Sequence, residues 1–233
     1  MKTELYCGDC LEILPKLADK SVDMILTDLP YGTTRNQWDR QLPLQSLWSE
    51  YERVIKDKGA ILLFAQLPFD KQLAMSNPKL LRYEWIWIKS RGTGFMNAKK
   101  MPLKRHENIL VFYKQLPKYN PQFTPGKPYV LTSSRYSRNY DKYSSFTTNN
   151  PGIRYPTSIL QFNTEQGLHP TQKPVALCEY LVKTYTDEGD TVLDNCMGSG
   201  TVGVACRNQN RDFIGIEKEK NYFDMAYKRI HDE

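Results

Sequence analysis

Apolar and polar positions alternate along the chain in blocks that switch repeatedly between a period of two and a helical period. Two short β-rich runs come first, at 4–7 and Val22–Thr27, with a helical stretch over 11–17 between them. Leu44, Leu47, Trp48, Tyr51, Val54 and Ile55 then recur at helical spacing. That spacing predicts a helix over 44–57 with one buried face, closed by Gly59. AILLFA at 60–65 is apolar at every position, as in a strand covered on both faces. A helix over 68–76 follows, then YEWIWI (83–88) and NILVFY (108–113), which suit an antiparallel pair of strands. The alternation resumes with a helix opened by Pro174 and running to about 185. After it come a strand at 191–195, a glycine turn, a helix over Thr201–Asn208, a strand at 213–217 and a last helix from about 221. Strands alternating with helices predict an α/β fold with a doubly wound, mostly parallel sheet. Residues 133–150 (SSRYSRNYDKYSSFTTNN) are tyrosine-rich and poor in aliphatics, and they read as a loop.

With 233 residues, 40% of them hydrophobic and 25% charged, the chain has the makings of one sizeable folded domain plus an attachment. No stretch approaches the roughly 20 apolar residues of a membrane span, and MKTELYCGDC carries no apolar signal core. Five cysteines at uneven spacing suit reduced thiols. A cytoplasmic protein without membrane contact is therefore expected. Charge changes the picture more. Between Arg82 and Arg154 there are fourteen Lys/Arg against three Asp/Glu, and thirteen of the 28 aromatic residues. The remainder of the chain is acidic. A basic, aromatic-rich segment in an acidic body is what a polyanion-binding insert looks like, because cations meet phosphates and aromatic faces stack on bases.

Three motifs carry candidate chemistry. DNCMGSGTVG at 194–203 places glycines between a strand and a helix, where the backbone can approach a ligand. Gly198, Gly200 and Gly203 also satisfy the weak dinucleotide pattern G-x-G-x-x-G. Glu217 ends the next strand, where a carboxylate can accept from two ribose hydroxyls, so the pair reads as a site for an adenosine-bearing cofactor. TDLPYG at 27–32 sets an acid, a fixed carbonyl and an aromatic ring at a strand end. Pro30 holds Leu29 extended, so Asp28 and the Leu29 carbonyl can together accept both protons of an amino group, with Tyr31 against its ring. HPTQKP at 169–174 supplies a hydroxyl and a cation ahead of a helix. The three histidines, His106, His169 and His231, form no metal-ligand spacing, and Cys7 and Cys10 are a lone C-x-x-C pair. No metal is expected.

Together these motifs resemble the amino-group DNA methyltransferases. DLPY is similar to their catalytic D/N/S-P-P-Y/F/W tetrapeptide, and DNCMGSGT to their cofactor motif D-P-F-x-G-S-G-T. HPTQKP is similar to H-P-T-Q-K-P, and GDCLEIL to the segment that opens many members. The order resembles the permuted beta group. Leu29 replaces the usual first proline, and Asn195 and Cys196 stand where Pro-Phe is common. The resemblance implies a Rossmann-like methyltransferase sheet split into a catalytic half (1–114), a target-recognition insert (115–165, with basic surroundings from 82) and a cofactor half (166–233). It implies methyl transfer from S-adenosyl-L-methionine to an exocyclic amino nitrogen of double-stranded DNA, adenine N6 ahead of cytosine N4, with base flipping. Asp28, Leu29, Pro30 and Tyr31 would be catalytic. Asp9 and Cys10 would border the cofactor adenine and Glu217 its ribose. His169, Thr171 and Lys173 would surround the methionine end, and Asp194, Gly198, Ser199, Gly200 and Thr201 the centre. Arg91, Lys99, Lys100, Lys104, Arg105, Arg135 and Arg138 are the candidate DNA contacts. A homodimer and a cognate restriction endonuclease are the protein partners such an enzyme could have. Other readings stay open at this point: an RNA base methyltransferase, a non-catalytic DNA-binding protein and a nucleotide-dependent oxidoreductase.

Overall fold

The pleat of two central strands divides the apolar side chains between two faces. In the computed structural model, which describes residues 1–33, 39–137, 142–165 and 172–231 (backbone alone at 133–137 and 142–146), these strands are β2 (Val22–Thr27) and β3 (Ile55–Ala65). Met24, Leu26, Ala60, Leu62 and Phe64 enter one core, while Ile25, Ile61 and Leu63 enter the other. Each core needs a helical lid. The first is closed by α4 (Val175–Tyr185), α5 (Thr201–Asn208) and α6 (Lys220–His231), through Leu177, Leu181, Val202, Ala205, Ala226 and Ile230. The second is closed by α1 (Cys10–Ile13), α2 (Leu44–Val54) and α3 (Phe69–Ser76), through Ile13, Leu47, Trp48, Tyr51, Phe69 and Leu73. The result is the expected α/β sandwich, doubly wound around one sheet.

That sheet has eight strands. Beside β2 and β3 it contains β1 (Thr3–Cys7), β4 (Leu81–Thr93), β5 (Lys104–Phe112), β10 (Ile159–Phe162), β11 (Thr191–Asp194) and β12 (Asp212–Glu217). Their order is β1-β12-β11-β2-β3-β5-β4-β10, and among these strands β5 alone runs against the rest. The chain leaves β2 for β3 on one side and β11 for β12 on the other, so the winding reverses between β2 and β11. Open α/β sheets bind their ligands at such a reversal. No helix among the described residues is long and apolar enough to cross a membrane.

Residues 121–157 form a second compact unit. Within it β6 (Thr124–Pro125) pairs with β9 (Ile153–Arg154), and β7 (Tyr129–Ser137) pairs with β8 (Lys142–Asn150). The Arg154 guanidinium lies 4.9 Å from the Tyr129 ring centroid and donates to the Lys127 carbonyl at 2.6 Å.

The structure departs from the sequence reading in four places. The helix expected over 44–57 stops at Val54, because Ile55 is already extended (ψ 137°) and pairs with Val22. Gly59 does not close that helix. It lies inside β3, where the register against β2 shifts, and a Cβ there would come within 2.8 Å of the Asp23 carbonyl oxygen. The loop expected over 133–150 is largely a β ribbon. Its strands are rich in Ser, Thr and Tyr, so they carry no apolar–polar alternation for sequence analysis to detect. Finally, Ile159–Phe162, assigned to the insert, is the edge strand of the main sheet, pairing with β4.

Candidate functional site

The strands β1, β2, β3, β11 and β12 all end at one edge of the sheet, and the reversed β5 begins there. This edge encloses a cavity of about 340 Å³. Asp28, Leu29, Pro30 and Tyr31, immediately after β2, line it, as do Asp9, Cys10, Lys173, Asp194, Gly198, Ser199, Thr201 and Glu217. Twelve of the expected site residues thus meet in one place. His169 and Thr171 lie outside the described residues.

Asp28 is held at both oxygens. Oδ1 accepts from the Tyr31 hydroxyl at 2.6 Å, and Oδ2 accepts from the Lys173 ammonium. Lys173 is buried, with Glu107 Oε2 at 3.4 Å on its other side, and Glu107 is in turn paired with Lys89. Burial alone would pull the Lys173 pKa down, but the carboxylates of Asp28 and Glu107 outweigh it and hold the ammonium charged. Likewise burial would raise the Glu107 carboxyl, and Lys173 and Lys89 hold it below its ordinary value. The Tyr31 ring stacks on Phe69 at 5.2 Å, and the Lys173 Nζ lies 5.9 Å from its centroid. Asp39 fixes the following turn by accepting from the Gly32 and Thr33 N–H groups at 2.8 and 2.9 Å.

Across the reversal, Asp194 Oδ1 accepts from the Thr27 hydroxyl at 2.7 Å and from the Cys196 N–H at 3.1 Å. Burial, aided by the nearby charges of Asp28 and Glu217, pushes the Asp194 carboxyl up to about 7 against those hydrogen bonds. Tyr51 in α2 ties down the turn by donating to Asn195 Oδ1 at 2.6 Å. Gly198 has φ +52°, a left-handed conformation that costs glycine little, and its N–H donates to Glu217 Oε2 at 2.9 Å. Glu217 Oε1 accepts from the Glu219 N–H at 2.8 Å, yet burial still raises its pKa. Asp9 caps α1 through the Leu11 N–H at 3.0 Å and meets Lys218 at 2.9 Å. Gly200 is not in the cavity wall. At φ +77°, a Cβ on it would sit 2.9 Å from the Ala226 Cβ, so its glycine serves the packing of α6. Gly203 has the same duty, with Ile230 2.5 Å from where its Cβ would stand.

Among the candidate DNA contacts, Arg91, Lys99, Lys100 and Arg105 are exposed. Lys104 is half-buried and donates to Gln66 Oε1 at 2.7 Å, and Arg105 donates through Nε to the Lys89 carbonyl at 3.1 Å. Arg135 is in β7, described by its backbone alone, and Arg138 lies outside the described residues. Sequence reasoning missed Glu107, Asp39, Gln172 and Phe69. Glu107 had a usable signal, as one of only three acids in the basic stretch, next to a strand.

A family model for DNA methylases (N6_N4_Mtase) matches residues 22–228. The chain belongs to that DNA methylase family. It is 31% identical to the type II methyltransferase M.HpaI of Haemophilus parainfluenzae, over 100% of this chain and 76% of the relative. It is 28% identical to the DNA adenine methyltransferase YhdJ of Escherichia coli K12, over 96% of this chain and 81% of the relative. Among solved structures, the M1.HpyAVI–SAM complex superposes with a TM-score of 0.68 at 27% identity, covering 98% of each chain.

In this methylase the Asp194 carboxyl has a folded-state pKa above its ordinary 3.8, so folding takes up a proton between about 4 and about 7. Its contribution to stability is full below that window and is lost as pH rises through about 7. Asn keeps an acceptor for Thr27 and Cys196 but cannot ionise. Thermal unfolding of Asp194→Asn is therefore expected to show a stability advantage over wild type that widens from pH 4.5 to pH 8. Parallel pH curves for the two proteins would contradict a raised Asp194 pKa.

Proposed function

We propose that this methylase transfers a methyl group from S-adenosyl-L-methionine to the N6 amino group of adenine in double-stranded DNA. The observation that carries this reading is the Asp28 carboxylate, set at the winding reversal beside a cavity walled by seven carboxylates and three cations. Such a wall favours a cationic ligand and disfavours the pyrophosphate of a dinucleotide. The residues present fit the cofactor in three further respects. Glu217 keeps lone pairs for two hydroxyl donors. Among the described residues, nothing beyond its two chain neighbours comes within 4 Å of where a Cβ on Gly198 would stand, leaving room for a ligand. Buried Gln172 Oε1, on a wall residue, has no hydrogen-bond partner among the described residues and so can take a donor from a ligand. When bound, S-adenosyl-L-methionine supplies a methyl group activated by a positively charged sulfur.

The protein's own part is to prepare the nitrogen. An exocyclic amino group is a weak nucleophile because its lone pair is conjugated into the ring. Accepting its two protons at Asp28 and at the Leu29 carbonyl favours a pyramidal nitrogen with the lone pair free for in-line attack. The proton the nitrogen sheds after transfer passes to Asp28 and then to solvent. Lys173 holds Asp28 in place, and Tyr31 offers ring surface to the base. The base reaches the cavity by leaving the duplex, at a cost of about a few kcal/mol. The basic residues Arg91, Lys99, Lys100, Lys104, Arg105, Arg135 and Arg138 serve the phosphates, and the 115–165 segment serves target recognition. The adenine choice is supported by the aspartate at position 28 and by the likeness to YhdJ. A cytoplasmic location suits the five free cysteines. A homodimer and a restriction endonuclease partner belong to the same reading.

Three measurements test it. Glu217→Ala is expected to weaken S-adenosyl-L-methionine binding by about 1.5–3 kcal/mol in equilibrium titration, the scale of hydrogen bonds to a charged group. Asp28→Ala is expected to abolish turnover while leaving that binding nearly intact. Retention of more than about a tenth of the wild-type rate would remove Asp28 from the chemistry. Mass analysis of nucleosides from DNA methylated by this protein is expected to give N6-methyladenine, and N4-methylcytosine in its place would refute the choice of base.

A further inference from the structure

The turn joining β4 to β5 carries exposed apolar side chains beyond the edge of the sheet at which the cavity lies. β5 runs against β3 with Asn108 opposite Ala65, so its leading residues stand at the cavity edge of the sheet. Glu107 is part of the cavity wall, and Lys104 is bonded to Gln66, another wall residue. Pairing of β4 with β5 continues outward to Thr93 and Lys104, which carries residues 94–103 past that edge. There, after Gly94 in a left-handed conformation, a single 3₁₀ turn over Phe95–Asn97 presents Met96 fully exposed and Phe95 70% exposed. Exposed apolar surface grouped at a projecting tip contributes nothing to the core and marks a contact surface. The charge around it selects the partner. Arg91, Lys99, Lys100 and Arg105 are exposed around it, and residues 89–106 hold no Asp/Glu. Two copies of such a turn would repel each other, whereas a polyanion would be drawn to it.

We infer that the 94–103 turn is a wedge that enters duplex DNA beside the target base, with Phe95 and Met96 filling the slot the base vacates. The inference rests on the base-extruding reaction proposed above. A base that leaves the stack exposes the apolar faces of its neighbours to water, and apolar side chains inserted between base steps are a known means of covering them. Phe95 and Met96 match that chemistry in shape and polarity, and exposed Arg91, Lys99 and Lys100 flank them for the phosphates on either side.

The test uses the full chain and two duplexes containing its methylation sequence, itself read out by sequencing DNA the protein has modified. One duplex is fully paired, and in the other the target base faces a mismatch that already weakens its pairing. The double variant Phe95→Ala, Met96→Ala is compared with wild type in single-turnover methylation of each. The expected result is a loss of about tenfold on the paired duplex and near-wild-type turnover on the mismatched one. Equal loss on both duplexes, or no loss on either, would overturn the wedge. So would a wild-type dimer in sedimentation that the double variant dissociates, because the tip would then cover a second copy. Wild-type turnover on the paired duplex reports on the proposed reaction, and the ratio between duplexes reports on the wedge, so the two can fail separately.

Discussion

A buried ammonium, that of Lys173, sits between two carboxylates from distant parts of the chain: Asp28 after β2 and Glu107 in β5. Each contact extends the tie further. Asp28 orients the Tyr31 hydroxyl, Tyr31 stacks on Phe69 at the start of α3, and Glu107 reaches Lys89 in β4. Four segments that are remote in sequence are thereby fixed around one charge. The arrangement is demanding, because removing one member of a buried ionic network leaves its partners charged and unpaired, at roughly 3–5 kcal/mol. The short connection from β4 makes β5 run against its neighbours, and the network uses that direction. A parallel strand in that place would bring its last residues to the cavity edge, whereas the antiparallel one brings its first, and Glu107 with them.

The cavity's electrostatics follow from the same crowding. Asp194 and Glu217 are both pushed above their ordinary pKa by burial, and their mutual charge and that of Asp28 add to the effect on Asp194. Only a cation or several hydrogen-bond donors relieve such a wall. This separates two ligands that the glycine pattern leaves open. A helix N-terminus behind glycines attracts phosphate, but carboxylates at this density oppose it. Two of the three glycines, Gly200 and Gly203, are explained by the approach of α6 rather than by any ligand.

Much of this was legible in the sequence because the signals were local. Apolar runs located the strands, proline and glycine marked the turns, and the order of three motifs gave the family resemblance. What escaped was non-local or polar on both faces. The β7–β8 ribbon has no apolar stripe, so periodicity could not reveal it. The early end of α2 depends on Ile55 finding Val22 across the sheet, a contact no window of the sequence contains. Glu107 and Asp39 matter through partners far away or through backbone groups, and neither stands in a motif. Lys173 was found, but as a ligand of the cofactor's far end. Its engagement by Asp28 could be seen only once β2 and the segment before α4 were brought together.

In the proposed reaction, that engagement bears on which bases the site could accept. Both Asp28 oxygens already take one donor each, from Tyr31 and Lys173, and the buried Lys173 ammonium cannot be left without its carboxylate cheaply. An ionised carboxylate is an acceptor only, so the remaining lone pairs can receive a further N–H but repel another acceptor. A base presenting an amino group to Asp28 completes the network. One presenting a carbonyl oxygen in the same position would set two acceptors against each other. In the proposed reaction, discrimination between amino-bearing and carbonyl-bearing bases would then come from the same carboxylate that prepares the nitrogen. The separate choice of adenine over cytosine would be left to the groups that meet the rest of the ring.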